Sequence, residues 1–249
     1  MRAIRFQWAQ KEGEAITQPL VVDGEAVYCV TRTDQQAILY AISQSNGSEL
    51  WRTELTREKQ QMGPPLLVHD RIVLINTAGG VNLVQPSTGE IEKSFSLNRP
   101  LDPQVQPFVV DKRVYLSDPK GYIFELVLGG SGPLINPLYD CNSRVSSVAA
   151  SSQFIAVGHM AGITLLSARG HEIWSTDISE SVSTTPIIAG ESVFALDDSG
   201  NGLLFSVLRA NPERRMKLLP GEVGMTPLMT HSRIVVVGAD GKVVALPWQ

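Results

Sequence analysis

The feature that most constrains the fold is an internal repeat. A turn glycine followed by alternating apolar residues recurs with successive spacings of 41, 41, 40 and 39 residues, at Gly80, Gly121, Gly162, Gly202 and Gly241. Ala37 takes this place in the first repeat. A fixed period of about 40 residues is typical of propeller blades or of a solenoid, in which each repeat buries its apolar face against its neighbours.

Two further markers follow the same period. A large apolar residue lies three positions after each turn residue, and we predict that these six residues belong to the core: Tyr40, Leu83, Phe124, Leu165, Phe205 and Val244. Proline precedes an apolar pair or triplet at Pro19, Pro65, Pro107, Pro186 and Pro227, while Ser147 takes this place in the fourth repeat. Because proline lacks a backbone donor and is tolerated at the first residue of a strand, it marks the start of each innermost strand.

The segments between these markers favour strands over helices. Residues 27–30, 72–75 and 234–237 are runs rich in β-branched residues, of strand length and bounded by turn sequences. Short polar turns at residues 23–25, 69–71, 111–113 and 231–233 fit tight hairpins. The repeat therefore predicts an antiparallel meander, not a pair of helices.

We predict one all-β domain over residues 1–249, a six-bladed β-propeller of four-stranded antiparallel blades. The blades cover about residues 19–55, 64–97, 106–138, 146–179, 185–219 and 226–249, the last one together with residues 3–10. The last repeat ends after its third strand, and an apolar segment at residues 4–8 precedes the first proline. This N-terminal strand should complete the last blade and close the ring, which removes the open sheet edges.

Composition excludes several function classes. A net charge of -4 gives no basic field for nucleic acid or anionic lipid. No stretch approaches the ~20 apolar residues of a membrane span, so direct membrane insertion is not expected. The chain lacks a secretory signal at its start and has only two cysteines, Cys29 and Cys141. These features favour a soluble cytoplasmic protein, with a periplasmic or extracellular one open if a signal was removed.

A family resemblance rests on residues 39–42 and 46–53, with the sequences LYAI and NGSELWRT, and on fragments at 87–91 and 170–174. These segments resemble the repeat of the pyrroloquinoline-quinone (PQQ)-like β-propeller family. The resemblance implies that tryptophan docks one blade on the next, which gives Trp8, Trp51 and Trp174 structural roles; Lys93 departs from the pattern. The family's enzymes have eight blades, a calcium ion held by Glu, Asn and Asp, a catalytic Asp and often adjacent cysteines. This chain has six repeats and no adjacent cysteines, so it is more similar to non-enzymatic scaffold and sensor members.

The side chains that could carry chemistry are better explained by structure. His69, His159, His171 and His231 lack zinc-site spacing, and we interpret them as turn or surface residues. The acidic turns at residues 118–121, 197–202 and 239–241 are interpreted as Asx turns. We therefore predict no catalytic residue, no metal site and no cofactor.

In a propeller, the turns between second and third strands and the loops entering the innermost strands surround the same mouth of the channel. The residues predicted to bind a partner there are Arg32, Asp34, Arg57, Asp118, Lys120, Arg144, His159, Asp198 and Asp240, with Lys59 and Arg99 beside them. Their charges are mixed, and they lack the nucleophile and base of a catalytic pocket.

The first functional hypothesis is a non-enzymatic scaffold or sensor, a monomeric ring that binds a partner protein or another domain of a longer chain. A quinone-dependent sugar or alcohol dehydrogenase is the alternative, which rests on the resemblance alone. A propeller that binds a small ligand or carbohydrate is the third hypothesis. Exposed aromatic residues would support it, and Tyr122 and Trp248 are the candidates.

Overall fold

A computed structural model of the chain describes residues 15–16, 18–33, 36–56, 61–102, 105–129, 132–178 and 180–248. In these residues the chain forms strands joined by turns and short loops, with no α-helix. Consequently, no described helix is long and apolar enough to cross a membrane. The chain divides into two compact units, Met1–Pro103 (unit 1) and Gln104–Gln249 (unit 2).

The described residues of unit 1 form two antiparallel sheets. The first consists of β1 Ala15–Ile16, β2 Val21–Val22, β3 Ala26–Arg32, β4 Ala37–Ser43 and β5 Glu49–Thr56. The second consists of β6 Leu66–Val68, β7 Arg71–Ile75, β8 Gly80–Val84 and β9 Ile91–Ser96. Strands pair in chain order, except that β1 and β2 both pair with β3. The innermost position of the first sheet is thus shared by two short strands, which the repeat did not predict.

The part of unit 2 that the structure describes forms four antiparallel sheets, and their strands again pair in chain order. They consist of β10 Phe108–Val110, β11 Arg113–Ser117, β12 Tyr122–Gly129 and β13 Gly132–Asp140; β14 Val145–Ala150, β15 Phe154–His159, β16 Gly162–Ser167 and β17 Glu172–Asp177; β18 Ile187–Ala189, β19 Ser192–Leu196, β20 Asn201–Ser206 and β21 Arg214–Lys217; and β22 Val223–Met229, β23 Arg233–Gly238 and β24 Val243–Pro247. Among the described residues the last sheet has three strands.

The predicted meander of antiparallel strands is confirmed, and each predicted blade range overlaps one sheet. Pro65, Pro107 and Pro186 directly precede β6, β10 and β18, as a residue without a backbone donor should. Pro227 instead lies inside β22, where the register shifts between Met225 and Leu228 and the hydrogen-bond ladder bypasses the proline. The single-domain organisation stays a prediction.

The core lies where apolar strand faces of neighbouring sheets meet within each unit. Of the six predicted core residues, Tyr40, Phe124, Leu165 and Phe205 are at most 1% exposed. The prediction is wrong in degree for Leu83 and Val244, which are half-buried. Leu83 pairs with Lys93 of β9, a strand whose residues are almost all exposed, and Val244 lies on the last described strand of its sheet.

Several sequence predictions concern residues that the structure does not describe. The N-terminal strand at residues 3–10 and its Trp8 lie outside the described residues. The same holds for Asp34, Arg57 and Lys59. Closure of the last blade by the N-terminal strand therefore stays a prediction.

Candidate interaction surface

In unit 2 the turns between second and third strands lie at the same end of their sheets as the loops that enter the innermost strands. We call this surface the loop end: turns 118–121, 160–161, 197–200 and 239–242 with loops 141–144, 180–186 and 218–222. Backbone hydrogen bonds join each loop to the following turn: Met160 N to Arg144 O at 3.2 Å, Asp198 N to Ser181 O at 3.0 Å, and Ala239 N to Glu222 O at 3.0 Å. Backbone hydrogen bonds therefore hold the loop end in place.

The structure separates the residues predicted at the mouth into exposed and buried groups. Lys120, Arg144 and Asp240 are exposed at the loop end, and Asp198 is half-buried there. Asp118 and His159 are buried, at 8% and 5% exposure. In unit 1, Arg32 is exposed at the end of β3 and Arg99 is half-buried.

Three of the acidic side chains hold their own turns. Asp118 Oδ1 accepts hydrogen bonds from the backbone N–H groups of Lys120 at 2.9 Å and Tyr122 at 3.1 Å. Asp197 Oδ1 accepts one from Asn201 N at 2.8 Å, and Asp240 Oδ1 accepts one from Lys242 N at 3.0 Å. The Asx-turn interpretation is confirmed for these three residues. These carboxylates therefore stabilise their own turns, and the Asp118 side chain is buried.

Asp198 acts differently from its neighbour Asp197, because it holds the loop at residues 180–186. Its carboxylate accepts hydrogen bonds from the hydroxyls of Ser181 and Ser183, and from Ser183 N at 3.3 Å. The hydroxyl of Thr184 donates to Leu196 O at 3.0 Å. The loop is thereby fixed to the turn and strand of the next sheet.

A polar cleft of about 560 Å³ opens at the loop end beside this loop. Its lining includes Glu180, Asp198, Ser199, Lys217, Glu222 and Val223. Lys217 Nζ donates to Ser199 O at 2.6 Å, which fixes the position of the ammonium group. The carboxylates outnumber the single lysine among these residues, so the cleft suits hydrogen-bond donors and cations. No group of three or more His, Cys, Asp or Glu side chains among the described residues could hold a metal ion.

His159 is buried at the end of β15, so the surface interpretation is wrong for this histidine. Its Nε2 lies 3.2 Å from the Thr164 hydroxyl, which in turn lies 2.8 Å from that of Ser175. Its Nδ1 is buried and has no hydrogen-bond partner. Burial lowers the pKa of the His159 imidazole, and the negative charge of Asp177 only partly opposes this.

This environment predicts a pH dependence of stability that belongs to His159. The pKa of His159 in the folded state lies below the unfolded value of about 6.5. At pH values between these two pKa values, the unfolded chain therefore binds more protons than the folded one. The stabilisation is therefore complete above pH 6.5 and is lost as the pH falls toward the folded pKa. Urea unfolding at pH 7.5 and pH 5.5 should show a smaller loss for His159→Gln than for the wild type. Equal losses would refute this assignment, and His171→Gln, at an exposed position, is the matched control.

The thiol of Cys141 lies in loop 141–144 and is half-buried. Burial, followed by the charges of Asp140 and Glu172, raises the pKa of the Cys141 thiol to about 12. Because the thiolate is the nucleophilic form, almost none is present at neutral pH. The one cysteine at the loop end is therefore not set up as a catalytic nucleophile.

Comparison with known proteins decides the family. Residues 5–130, just over half of the chain, match the family model of PQQ-like repeats described as outer membrane protein assembly factor BamB. The chain belongs to the PQQ-like repeat β-propeller family. This confirms the resemblance that the repeat motifs indicate. No curated protein sequence matches this member of the family.

Solved structures agree with this assignment at the level of fold. The crystal structure of BamB from Moraxella catarrhalis superposes with a TM-score of 0.64 at 14% identity, covering 96% of this chain and 85% of that one. The computationally designed Ika8 protein gives 0.76 at 15% identity, covering 94% and 71%. The designed Ika4 protein gives 0.52 at 14% identity, covering 59% and 91%. The PQQ-like chain thus has a propeller fold, and its six sheets fit six blades.

Within the part of the chain that the structure describes, Trp51 and Trp174 of the PQQ-like repeat each contact the next sheet. Trp51 Nε1 donates to Pro86 O at 2.8 Å, and a Cβ on Gly89 would lie 2.5 Å from the Trp51 ring, so only glycine fits there. Trp174 Nε1 donates to Val207 O at 3.1 Å, and its ring stacks on Phe205 with centroids 5.2 Å apart. These are the contacts that a blade-docking role requires.

Sequence reasoning missed one contact between sheets in the third repeat and the hydrogen bonds that Ser181 and Ser183 donate to Asp198. The Tyr139 hydroxyl donates to the Glu172 carboxylate in the next sheet, and no repeat motif marks this tyrosine. Ser181 and Ser183 lie in a loop without periodicity, so no pattern assigns them a partner. Their only sequence signal is the alternation of serines at residues 179, 181 and 183, which also suits a solvated loop.

Proposed function

We propose that this chain is a non-enzymatic scaffold that binds a partner protein through the loop end of unit 2. The observation that carries the proposal is the construction of that surface. Backbone hydrogen bonds fix its loops to its turns, while Lys120, Arg144 and Glu222 present exposed charges of both signs at the loop end, and Glu222 also lines the polar cleft. Charges arranged in this way on a rigid surface give specificity and fast association with a complementary protein surface.

The family description supports the same role. It names an assembly factor of outer membrane proteins, and we propose a comparable role here, in which the propeller holds another protein of an assembly machinery. The relatives share the fold at 14–15% identity, so the identity of the partner has to come from experiment.

Enzymatic activity is not part of the proposal. The dehydrogenases of the family need carboxylate and amide oxygens to hold calcium beside the quinone. The donor set of the loop end does not fit such a site, because Asp118, Asp197 and Asp240 hold their own turns and Asp198 holds a loop. The raised pKa of the Cys141 thiol also argues against covalent catalysis at this surface.

Affinity capture with two charge-matched variants tests the proposal. The loop-end variant replaces Lys120, Arg144 and Glu222 with alanine. The control replaces Lys112, Arg169 and Glu191, which are exposed on turns at the opposite end of the unit 2 sheets. A partner retained by the wild type and the control but lost by the loop-end variant supports the proposal. Equal capture by both variants, or loss in the control alone, contradicts it.

We also propose that residues 3–10 supply the fourth strand of the last sheet. Among the described residues β24 pairs only with β23, and Val243 on β24 is 61% exposed. An unpaired apolar strand at a sheet edge is an aggregation risk that closure of the propeller would remove. Trp8 would then occupy the outer-strand position that Trp51 and Trp174 hold in their own sheets.

Deletion of residues 1–10 should therefore destabilise the protein. Loss of one edge strand and its tryptophan should lower the free energy of unfolding by about 2 kcal/mol and the melting temperature by roughly 5 °C. Differential scanning calorimetry of the truncated and full-length chains measures both. A chain lacking only residues 1 and 2 is the control. Unchanged thermal unfolding after the longer deletion would rule out this closure.

A further inference from the structure

Besides the polar cleft in unit 2, there is a cleft in unit 1. It lies at the opposite end of the unit 1 sheets from the turns between second and third strands. It has a volume of about 580 Å³, within the range of ligand pockets. The turn between β2 and β3 supplies Asp23 and Glu25, β3 supplies Tyr28, β5 supplies Leu50 and Trp51, and the turn between β8 and β9 supplies Pro86. The cleft thus lies between the two sheets of one compact unit.

The apolar part of this cleft is rigid and accessible. The Leu50 side chain is 53% exposed beside the half-buried Trp51. Trp51 cannot swing away, because its Nε1 donates to Pro86 O and Gly89 lies against its ring. The ring of Tyr28 lies 5.9 Å from that of Trp51, and its hydroxyl donates to Asp23 Oδ2 at 2.6 Å. An occupant would therefore meet a preformed apolar floor.

The polar part of the cleft is negatively charged. Asp23 Oδ1 accepts hydrogen bonds from Glu25 N at 2.9 Å and Ala26 N at 2.8 Å. Burial opposes ionisation of Asp23, but the hydrogen bonds from Tyr28 and these two N–H groups outweigh it and lower the pKa of its carboxyl. Glu25 is exposed on the same turn, which Gln44 fixes through hydrogen bonds to Asp23 O and Glu25 O. Among the residues that the structure describes, no lysine or arginine lines the cleft.

The balance of donors and acceptors selects the chemistry of the occupant. The indole N–H of Trp51 and the hydroxyl of Tyr28 already donate within the protein. Apart from the Ser87 hydroxyl, the side chains of the lining offer only carboxylate oxygens and apolar surface. A sugar needs donors as well as acceptors, whereas an arginine or lysine side chain has donors only, on an aliphatic stem that packs on apolar surface.

We infer that this cleft binds an arginine or lysine side chain of an extended segment from a partner protein. The aliphatic stem lies over Leu50 and Trp51, and the cation faces Asp23 and Glu25. Charge complementarity and packing of the stem on the indole then favour binding. This site is independent of the loop end of unit 2, since it uses other residues and a different compact unit.

Titration with two short peptides tests this inference. The probes are acetyl-Ala-Arg-Ala-amide and its citrulline counterpart, which keeps the shape of arginine without the charge; maltose is the sugar probe. The readout is the indole ¹H–¹⁵N resonance of Trp51. A saturable shift with the arginine peptide, and little or none with the other two probes, supports the inference. No shift with any probe, equal shifts with both peptides, or a shift with maltose alone overturns it.

Two variants with the same charge change make the test specific. Glu25→Gln removes a carboxylate from the cleft, and Glu54→Gln removes an exposed one from β5 outside the lining. Glu25→Gln should weaken binding of the arginine peptide about three-fold, while Glu54→Gln leaves it unchanged. Equal weakening by both variants would show attraction to the net charge of the protein and would overturn the assignment to this cleft.

Discussion

Replacement of Trp174 by alanine should lower the free energy of unfolding by about 4 kcal/mol. The side chain is 6% exposed and packs in the apolar cluster that joins the sheet of β14–β17 to the sheet of β18–β21. Its removal leaves a cavity beside Phe205 and leaves Val207 O without its indole donor. Both losses fall on a contact between two sheets, so the cost exceeds that of an ordinary surface substitution.

Urea unfolding followed by circular dichroism measures this effect. Trp174→Phe keeps a ring over Phe205 but removes the N–H group, and it should cost less than half as much as alanine. Lys93→Ala is the matched control, because Lys93 is exposed on β9 at the equivalent place in the second repeat. It should change the free energy of unfolding by less than about 0.5 kcal/mol. A Trp174→Ala protein as stable as the control would refute the docking role.

Gly121→Ala should destabilise the chain by about 3 kcal/mol. Gly121 has φ of 95°, a region that costs a residue with a Cβ about 1–2 kcal/mol. A Cβ at this position would lie 2.2 Å from the backbone oxygen of Ser143, in loop 141–144. Because the obstacle is backbone rather than a flexible side chain, the loop must move, and overpacking adds about 1–3 kcal/mol.

Gly241→Ala separates these two causes. Gly241 has a similar φ of 82° at the equivalent turn, but no atom lies within 4 Å of the position of its Cβ. This variant should cost only about 1 kcal/mol, the effect of the backbone conformation alone. Thermal unfolding of both variants, measured in parallel, distinguishes the contributions. Equal effects of the two substitutions would contradict the close contact between Gly121 and the loop.

The repeat allows much of the fold to be predicted because the period of the sequence is also the period of the sheets. The turns, three of the strand starts and the four fully buried residues at Tyr40, Phe124, Leu165 and Phe205 follow from it. Leu83 shows the limit of this reasoning. Its position in the repeat is that of a core residue, but its exposure depends on the strand paired beside it, which carries Lys93.

The candidate surface is less predictable, since residue type alone does not tell which way a polar side chain turns. Asp197 and Asp198 are neighbours in one acidic turn. The Asp197 carboxylate accepts a hydrogen bond within the turn, whereas that of Asp198 holds the loop that leads into β18. His159 has no sequence signal for burial, because it follows a glycine at the end of a strand. These differences arise from contacts between separate segments.

The most direct test of the scaffold proposal is hydrogen–deuterium exchange of the full chain with and without the captured partner. The proposal predicts slower exchange on binding in loops 141–144 and 218–222 and in turn 160–161, all at the loop end of unit 2. Exchange at the opposite turns, 111–112 and 190–191, should stay unchanged. Protection of those opposite turns, with none at the loop end, would contradict the proposal.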